Sequence, residues 1–267
     1  MTTRDQLTVM TLNIWNMHRW EERRDAIVDW INAIRPDLLA LQEAVRFSGL
    51  CQATWIAEKT DMTGIFAAAG RHSGAEFGNA VLSRLSVVGS RSRRLADGSP
   101  GDVARGVLTV DADLRGRRVS FSSTHLSYRF DDGWAREQQV RQIADFVGMG
   151  SDDFPAILCG DFNATAAATE VRFLKGLHAL DGRSFHLWDA FEVAHPERPG
   201  YTWSNANPFA AADQNPDRRI DYIFVGMRTP DGAGRVLSAD VVCNEPRRGA
   251  WPSDHFGVAA VLSCPRL

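Results

Sequence analysis

Pro155-Ala156-Ile157-Leu158-Cys159-Gly160-Asp161-Phe162-Asn163-Ala164 is an apolar run of strand length that ends on a glycine, an acid and an amide. A run so uniformly apolar reads as a strand buried on both faces. A charge at its end is costly there unless it is paired or metal-bound. The same pattern recurs along the chain. Asn13 interrupts Thr11-Leu12-Asn13-Ile14-Trp15, Glu43 ends Leu41-Gln42-Glu43, and His125 sits in Ser123-Thr124-His125-Leu126. Asp221 lies in Arg219-Ile220-Asp221-Tyr222-Ile223, and Asp254 and His255 directly precede the last apolar run. Taken singly, an Asp after a strand is a turn or cap residue, and a lone His is a satisfied core residue. Taken together, strand ends meeting at one sheet edge would put four carboxylates, two His and two Asn in one cleft. Several carboxylates cannot all stay ionised there without a cation. A hard divalent ion with oxygen ligands resolves this, and two imidazoles add groups that move protons near neutral pH. Such a set suits hydrolysis of a phosphate ester.

The rest of the chain supplies the frame. Leu7 to Trp15 reads as a strand, and Ala26, Ile27, Trp30, Ile31 and Ile34 fall at helical spacing until Pro36 stops them. Asp37 to Gln42 reads as a buried strand and Leu50 to Glu58 as helix. Strands are expected over Ala80–Leu85, Val87–Arg94, Val103–Val110 and Val119–Leu126. Val140, Ile143, Ala144 and Val147 predict a helix ended by Gly148 and Gly150, and Glu170 to Leu180 predicts another. Ile220–Val225, Val236–Val242 and Phe256–Leu262 read as late strands. Strands come in two runs with helices between them, which suits a mixed-sheet sandwich covered by helices. Two connections are long, Ala69–Gly78 and Ala194–Arg219, and such loops are commonly functional. No linker divides the chain, so residues 1–267 are expected to form a single domain.

Composition narrows the partners. With 44% hydrophobic and 24% charged residues, the 267-residue chain is globular rather than disordered or fibrous. No apolar run is long enough to span a bilayer, and Met1–Met10 shows no apolar leader, so a cytoplasmic protein without membrane insertion is expected. The net charge of −3 gives no basic footprint for nucleic acid. Only Lys59 and Lys175 among the 30 basic residues are lysines; arginine suits bidentate phosphate contacts, but genome base composition is the preferred account of the bias. Cys51, Cys159, Cys243 and Cys264 are scattered without metal-site spacing and are expected to be reduced.

Seven motifs in order resemble the endonuclease/exonuclease/phosphatase superfamily. They are Thr-Leu-Asn13, Leu-Gln-Glu43, Gly78-Asn79-Ala80-Val81-Leu82-Ser83-Arg84, Thr-His125-Leu, Gly-Asp161-Phe-Asn163, Arg-Ile-Asp221-Tyr and Ser-Asp254-His255. The superfamily includes deoxyribonuclease I, abasic endonucleases, neutral sphingomyelinases and inositol polyphosphate 5-phosphatases. The resemblance implies an α/β fold, a four-layered sandwich of two packed mixed sheets flanked by helices. It implies that Glu43 binds an essential Mg²⁺ or Mn²⁺ with Asn13 beside it, and that Asp254 completes or extends the metal site. Asp161 would orient or deprotonate the attacking water and Asn163 would hold a phosphate oxygen. His255 would contact the scissile phosphate with its ring oriented by Asp221, and His125 would stabilise the phosphorane or assist the leaving oxygen. His125 sides with the deoxyribonuclease I, sphingomyelinase and 5-phosphatase branches rather than the abasic endonucleases. Family members often pair that His with an acid or Tyr near Gly-Asn-Ala. Glu76 is the candidate, against a solvated loop acid.

The substrate stays open between a phosphodiester, as for a nuclease, and a small phosphorylated metabolite or lipid headgroup; a non-catalytic binding module of the same fold is the third reading. Asn79 is expected to line the site, with Trp203, Arg247 and Trp251 at its mouth, and Arg84 and Arg105 as structural or substrate-edge residues. Arg91/Arg93/Arg94, Arg115/Arg117/Arg118 and Arg247/Arg248 are the candidate basic patches. A monomer without an obligate protein partner is expected.

Overall fold

The computed structural model describes residues 5–148 and 153–266. The chain begins β1 (Gln6–Asn13), α1 (Trp20–Ile34), β2 (Leu38–Phe47), β3 (Leu50–Cys51), α2 (Gln52–Lys59), β4 (Thr63–His72), β5 (Ala75–Ser83) and β6 (Ser86–Arg94). It continues β7 (Gly106–Leu114), β8 (Arg117–His125), α3 (Gly133–Val147), β9 (Ile157–Asp161), α4 (Thr169–Leu174), β10 (Trp188–Asp189) and α5 (Ala190–Ala194). It closes with α6 (Pro208–Ala211), β11 (Asp221–Val225), β12 (Val236–Val242) and β13 (Gly257–Ser263).

Two mixed sheets result. One runs β12-β13-β1-β2-β5-β4 with β3 paired to β2, and the other runs β10-β11-β9-β8-β7-β6. Alternation within the strands makes the sandwich. Leu7 and Val9 of β1 and Leu38 and Ala40 of β2 face the second sheet, meeting Val110, Phe121, Ile157, Cys159 and Ile223. Met10, Leu12, Leu39 and Leu41 point the other way, under Ile27, Trp30 and Ile31 of α1 and Ala53 and Ile56 of α2. On the far side of the second sheet, Leu158, Tyr222 and Phe224 pack under Val140 and Ile143 of α3 and Val171 and Leu174 of α4. The order helix, sheet, sheet, helix is the four-layered α/β sandwich expected from the sequence. Strands apolar on both faces are what central layers require.

Register then brings the polar strand ends together. Asn13 is the last residue of β1, which runs parallel to β2. In the second sheet Asp221 pairs with Asp161, and Asp161 with His125, so three neighbouring strands present an acid, an acid and an imidazole in one row. Glu43 sits where the β2–β5 register shifts between Leu41 and Ala44, at φ 58°. A bulge of this kind re-aims a side chain.

Several local expectations change. The stretch Ala69–Gly78 is not a long loop. It is the end of the β4–β5 hairpin, turned at Ser73 (φ 49°) and Gly74 (φ 83°). The alanine-rich β4 lacks the alternation that marks a strand. The helix read over Glu170–Leu180 ends at Leu174, with Gly176 at φ 72° beyond it. The helix at Leu50–Glu58 is preceded by the short β3, and the strand read from Val103 starts at Gly106. The connection Ala194–Arg219 contains α6, whose first turn is capped by the Asn207 side chain accepting from the Phe209 N–H, and a bridge between Trp203 and Arg218. Gly148 closes α3 as expected, while Gly150 lies outside the described residues.

Gly160 shows why glycine precedes Asp161. Its φ is +153°, and a Cβ there would stand 2.0 Å from the Thr124 carbonyl oxygen. Backbone cannot give way cheaply at a ladder position. Gly160→Ala is expected to cost roughly 1–3 kcal/mol of stability, or about 3–10 °C in Tm by scanning calorimetry. The control is Gly89→Ala in β6, where a Cβ meets nothing within 4 Å; its Tm should stay near that of the parent.

Candidate active site

At the open end of the two sheets lies a cleft of about 390 Å³ whose lining includes Glu43, His125, Asp161, Asn163, Asp254 and His255. Asp161 is its hub. Asp161 Oδ1 accepts from the Asn163 backbone N–H at 2.9 Å, and Oδ2 accepts from Asn13 Nδ2 at 3.0 Å. The same Oδ2 lies 3.4 Å from His125 Nε2 and 3.6 Å from His255 Nε2. Burial raises the Asp161 carboxyl above the usual carboxylate range, with the charge of Asp221 adding to it and that of His255 opposing it.

The two imidazoles are driven to opposite charge states. His255 Nδ1 donates to Asp221 Oδ2 at 2.9 Å. Burial works against its charge, but Asp221 and Asp161 outweigh burial and hold the ring well above its ordinary value, as an imidazolium. The bond to Asp221 fixes the ring so that Nε2–H faces Asp161. Trp203 packs edge-on against the ring at 5.0 Å. His125 is neutral, because burial first and then the charges of Arg105 and His255 push it well below its usual value. Arg105 Nη1 lies 2.9 and 3.0 Å from its ring nitrogens, and Asn163 Nδ2 lies 3.0 Å from Nε2.

Two further carboxylates face the cleft. Burial, with Glu43 nearby, raises Asp254 to about 6 against the pull of His255. Glu43 accepts from Asn13 Nδ2 at 3.2 Å and from Asn16 Nδ2 at 2.7 Å. Behind them Arg23 braces the loops through the carbonyls of Pro252 (2.6 Å), His18 (2.8 Å) and Trp15 (3.2 Å), and burial lowers its guanidinium to about 10. Hard oxygens from two carboxylates, with Glu43 raising the cost of ionising Asp254, fit a divalent cation. Asn13 stands beside this pair as a donor, since its Oδ1 accepts the Trp15 N–H at 2.9 Å. Ligand atoms of Asp161, Asp221 and His255 also lie within 4.8 Å of one another. That trio already spends His255 Nδ1 on Asp221, so it reads as a proton-handling set.

Other expectations fare differently. Trp203 lines the cleft. Arg247 instead lies with its guanidinium 4.0 Å from the Trp30 ring, and Arg248 pairs with Asp29 at 2.5 Å. Trp251 stacks on Phe256 at 5.9 Å outside the cleft lining. A tight turn at Arg248 and Gly249, closed by the paired backbones of Arg247 and Ala250, carries these side chains away from the cleft. Asn79, on the interior strand β5, is buried between the sheets, donating to the Gly106 carbonyl of β7 at 2.8 Å, and is not among the residues that line the cleft. Glu76 pairs with Arg46 at 2.5 Å rather than with His125; Arg105, backed by Asp102 at 2.9 Å, takes that position. Arg84 braces the Pro36 carbonyl at 3.0 Å. The remaining basic patches are largely neutralised: Arg91 and Arg118 share Asp111, Arg94 meets Asp97, and Arg117 meets Asp231. Sequence reading overlooked Trp15, Phe77, Tyr128, Phe130 and Arg218, which line the cleft from loops and the hairpin.

Comparison with known proteins agrees with this architecture. The Endonuclease/Exonuclease/phosphatase family model matches residues 10–255. Nocturnin of Drosophila melanogaster is 26% identical over 283 residues, covering 90% of this chain and 41% of that protein. The chain spans about two fifths of the length of the curated relatives it matches. The structure of an endonuclease/exonuclease/phosphatase from Beutenbergia cavernae superposes with TM-score 0.72 at 26% identity, covering 98% of this chain and 72% of that one. TDP2 of D. rerio complexed with a single-strand DNA product superposes with TM-score 0.75 at 18% identity, covering 97% and 99%, and at that identity shares the fold. With nearly its whole length matched by the family model, the chain belongs to the endonuclease/exonuclease/phosphatase family.

Proposed function

We propose that the protein is a divalent-metal-dependent phosphoesterase that hydrolyses a phosphodiester of short reach, acting as a cytoplasmic monomer. The observation that carries the reading is the meeting at Asp161 of one imidazolium, one neutral imidazole and two amides, with the Glu43–Asp254 pair beside them. Glu43 and Asp254 would hold a Mg²⁺ or Mn²⁺ ion, which supplies positive charge to phosphate oxygens and eases ionisation of water. Asp161, raised by burial, orients the attacking water and takes its proton. His255 donates Nε2–H to a phosphoryl oxygen, and Asp221 stabilises the imidazolium while it does so. Asn163 donates a second hydrogen bond to the phosphoryl group. His125, kept neutral, borders the leaving oxygen with Arg105 behind it. Water attacks phosphorus in line, and positioning with charge neutralisation lowers the barrier.

A diester is favoured by the aromatic walls of the cleft, Trp15, Tyr128, Phe130 and Trp203, since rings stack on bases. The bound product named for the TDP2 structure agrees with that choice. Short reach is supported by the acids that pair with Arg91, Arg94, Arg117, Arg118 and Arg248, which withdraw most of the candidate basic patches from a long backbone. The second reading is a phosphatase for a small phosphorylated metabolite, favoured by the modest cleft volume of about 390 Å³. The cytoplasmic assignment rests on four unpaired cysteines and on the lack, among the described residues, of any helix long and apolar enough to cross a membrane.

Two experiments test this. His255→Ala and Asp161→Asn should each lower kcat by ~10²-fold or more on bis-p-nitrophenyl phosphate or a dinucleotide, with the melting curve preserved; near-parental turnover in either variant removes the site assignment. EDTA should abolish activity and Mg²⁺ restore it, while Glu43→Ala should shift the Mg²⁺ titration to at least tenfold higher concentration, roughly 1.4 kcal/mol. Full activity in EDTA refutes the metal.

A further inference from the structure

Among the described residues that line the cleft, Arg218 is the one arginine that the catalytic scheme above leaves without work. Its backbone is pinned to that of Trp203, with Trp203 N–H donating to the Arg218 carbonyl at 2.9 Å and Arg218 N–H donating back at 2.8 Å. The guanidinium lies 4.6 Å from the Phe130 ring centroid and 5.9 Å from that of Trp203. Stacking on rings uses the face of the guanidinium and leaves its N–H edge available. Among the described residues no carboxylate makes an ion pair with it, and its Nε is buried without a hydrogen-bond partner. Other arginines of this region are each answered by an acid: Arg105 by Asp102, Arg136 by Glu170 and Arg219 by Asp189. Asp213, which shares the cleft lining, makes no ion pair with it.

A half-buried guanidinium with no ion pair forfeits hydration and is repaid only by the rings it stacks on and by the more distant charges of Asp161 and Asp221; burial outweighs these and lowers its pKa. The scissile phosphate already has His255, Asn163 and the metal carboxylates around it. Trp203 touches both Arg218 and His255, so the guanidinium stands beside the reaction centre across an indole ring rather than in it. We infer that Arg218 is a specificity-determining residue that binds a second anionic group of the substrate through its free N–H edge. The preferred phosphoester then carries another phosphate next to the one that is cleaved. This rests on the phosphoesterase reading for its link to turnover, but the binding it claims stands by itself.

The test separates the two. Calorimetric titrations of the full chain would compare thymidine 3′,5′-bisphosphate with thymidine 5′-monophosphate, with Ca²⁺ replacing Mg²⁺ so that the ligands persist. The parent protein should bind the bisphosphate at least tenfold more tightly, the scale of one charge-assisted contact. Arg218→Gln should bring the two affinities within about twofold of each other. A parent ratio near one, or a ratio unchanged in Arg218→Gln, overturns the inference. Should Arg218→Gln not fold, Arg218→Lys decides in the same way, because it keeps the charge but loses the planar fork: its ratio should fall at least threefold, and an unchanged ratio overturns the inference. Turnover is read separately on the dinucleotides TpT and pTpT. Absence of hydrolysis with the affinity ratio intact would sink the phosphoesterase reading and leave the Arg218 site standing.

Discussion

A carboxylate kept from water must be held by its neighbours, and in this protein Asp161 imposes that demand on everything near it. Its strand is central in the second sheet, so no solvent reaches it from the sides. Its oxygens are therefore served by the Asn13 amide, by the backbone at Asn163 and by two imidazoles. Each of those partners needs support in turn. His255 is charged because Asp221 and Asp161 outweigh its burial, and His125 is neutral because burial, and then the charges of Arg105 and His255, weigh against its proton. The backbone must also come close enough for neighbouring strands to present these groups in one row, which is why a residue without a Cβ stands directly before the acid. Fold and site are thus one electrostatic problem with one solution.

Much of this was legible in the sequence because polar residues that end apolar strands violate the pattern around them. Asn13, His125, Asp161, Asp221 and His255 were visible in that way, and strand register carried them to one place. The layered fold was legible for the same reason, since strands apolar on both faces need cover on both sides. What stayed hidden came from residues that obey local rules. Arg218 is one arginine in a chain whose basic residues are nearly all arginine, and nothing in its flanks separates it from surface charges. Arg105 reads in the sequence as a structural or substrate-edge residue, but its place against His125 is not visible there. Arg247 and Trp251 misled through adjacency, because they flank a tight turn at Arg248 and Gly249 and lie against Trp30 and Phe256 instead. The β4 strand was hidden by its alanines, which carry no period, and with it the hairpin that walls the cleft.

The arginines outside the cleft have a different part. Arg91, Arg94, Arg117, Arg118 and Arg248 sit against acids that lie within reach across a strand or a loop. Exposed pairs of this kind add little stability. Their consequence is electrostatic: with their charge answered locally, these patches add little to the field that a phosphate backbone would follow.

The β4–β5 hairpin joins the wall of the cleft to the sheet that carries Glu43. Phe77 and His72 reach the cleft near the hairpin's turn, and the ladder between β5 and β2, which includes Phe77 opposite Val45, ends at Glu76. The turn at Ser73 and Gly74 projects beyond the ladder. Lengthening or shortening it would reshape the cavity without disturbing the register on which the bulge at Glu43 depends. The molecule therefore keeps its chemistry and its choice of ligand on separate mechanical footings, and a lineage can retune one by editing a few turn residues while the other stays in place.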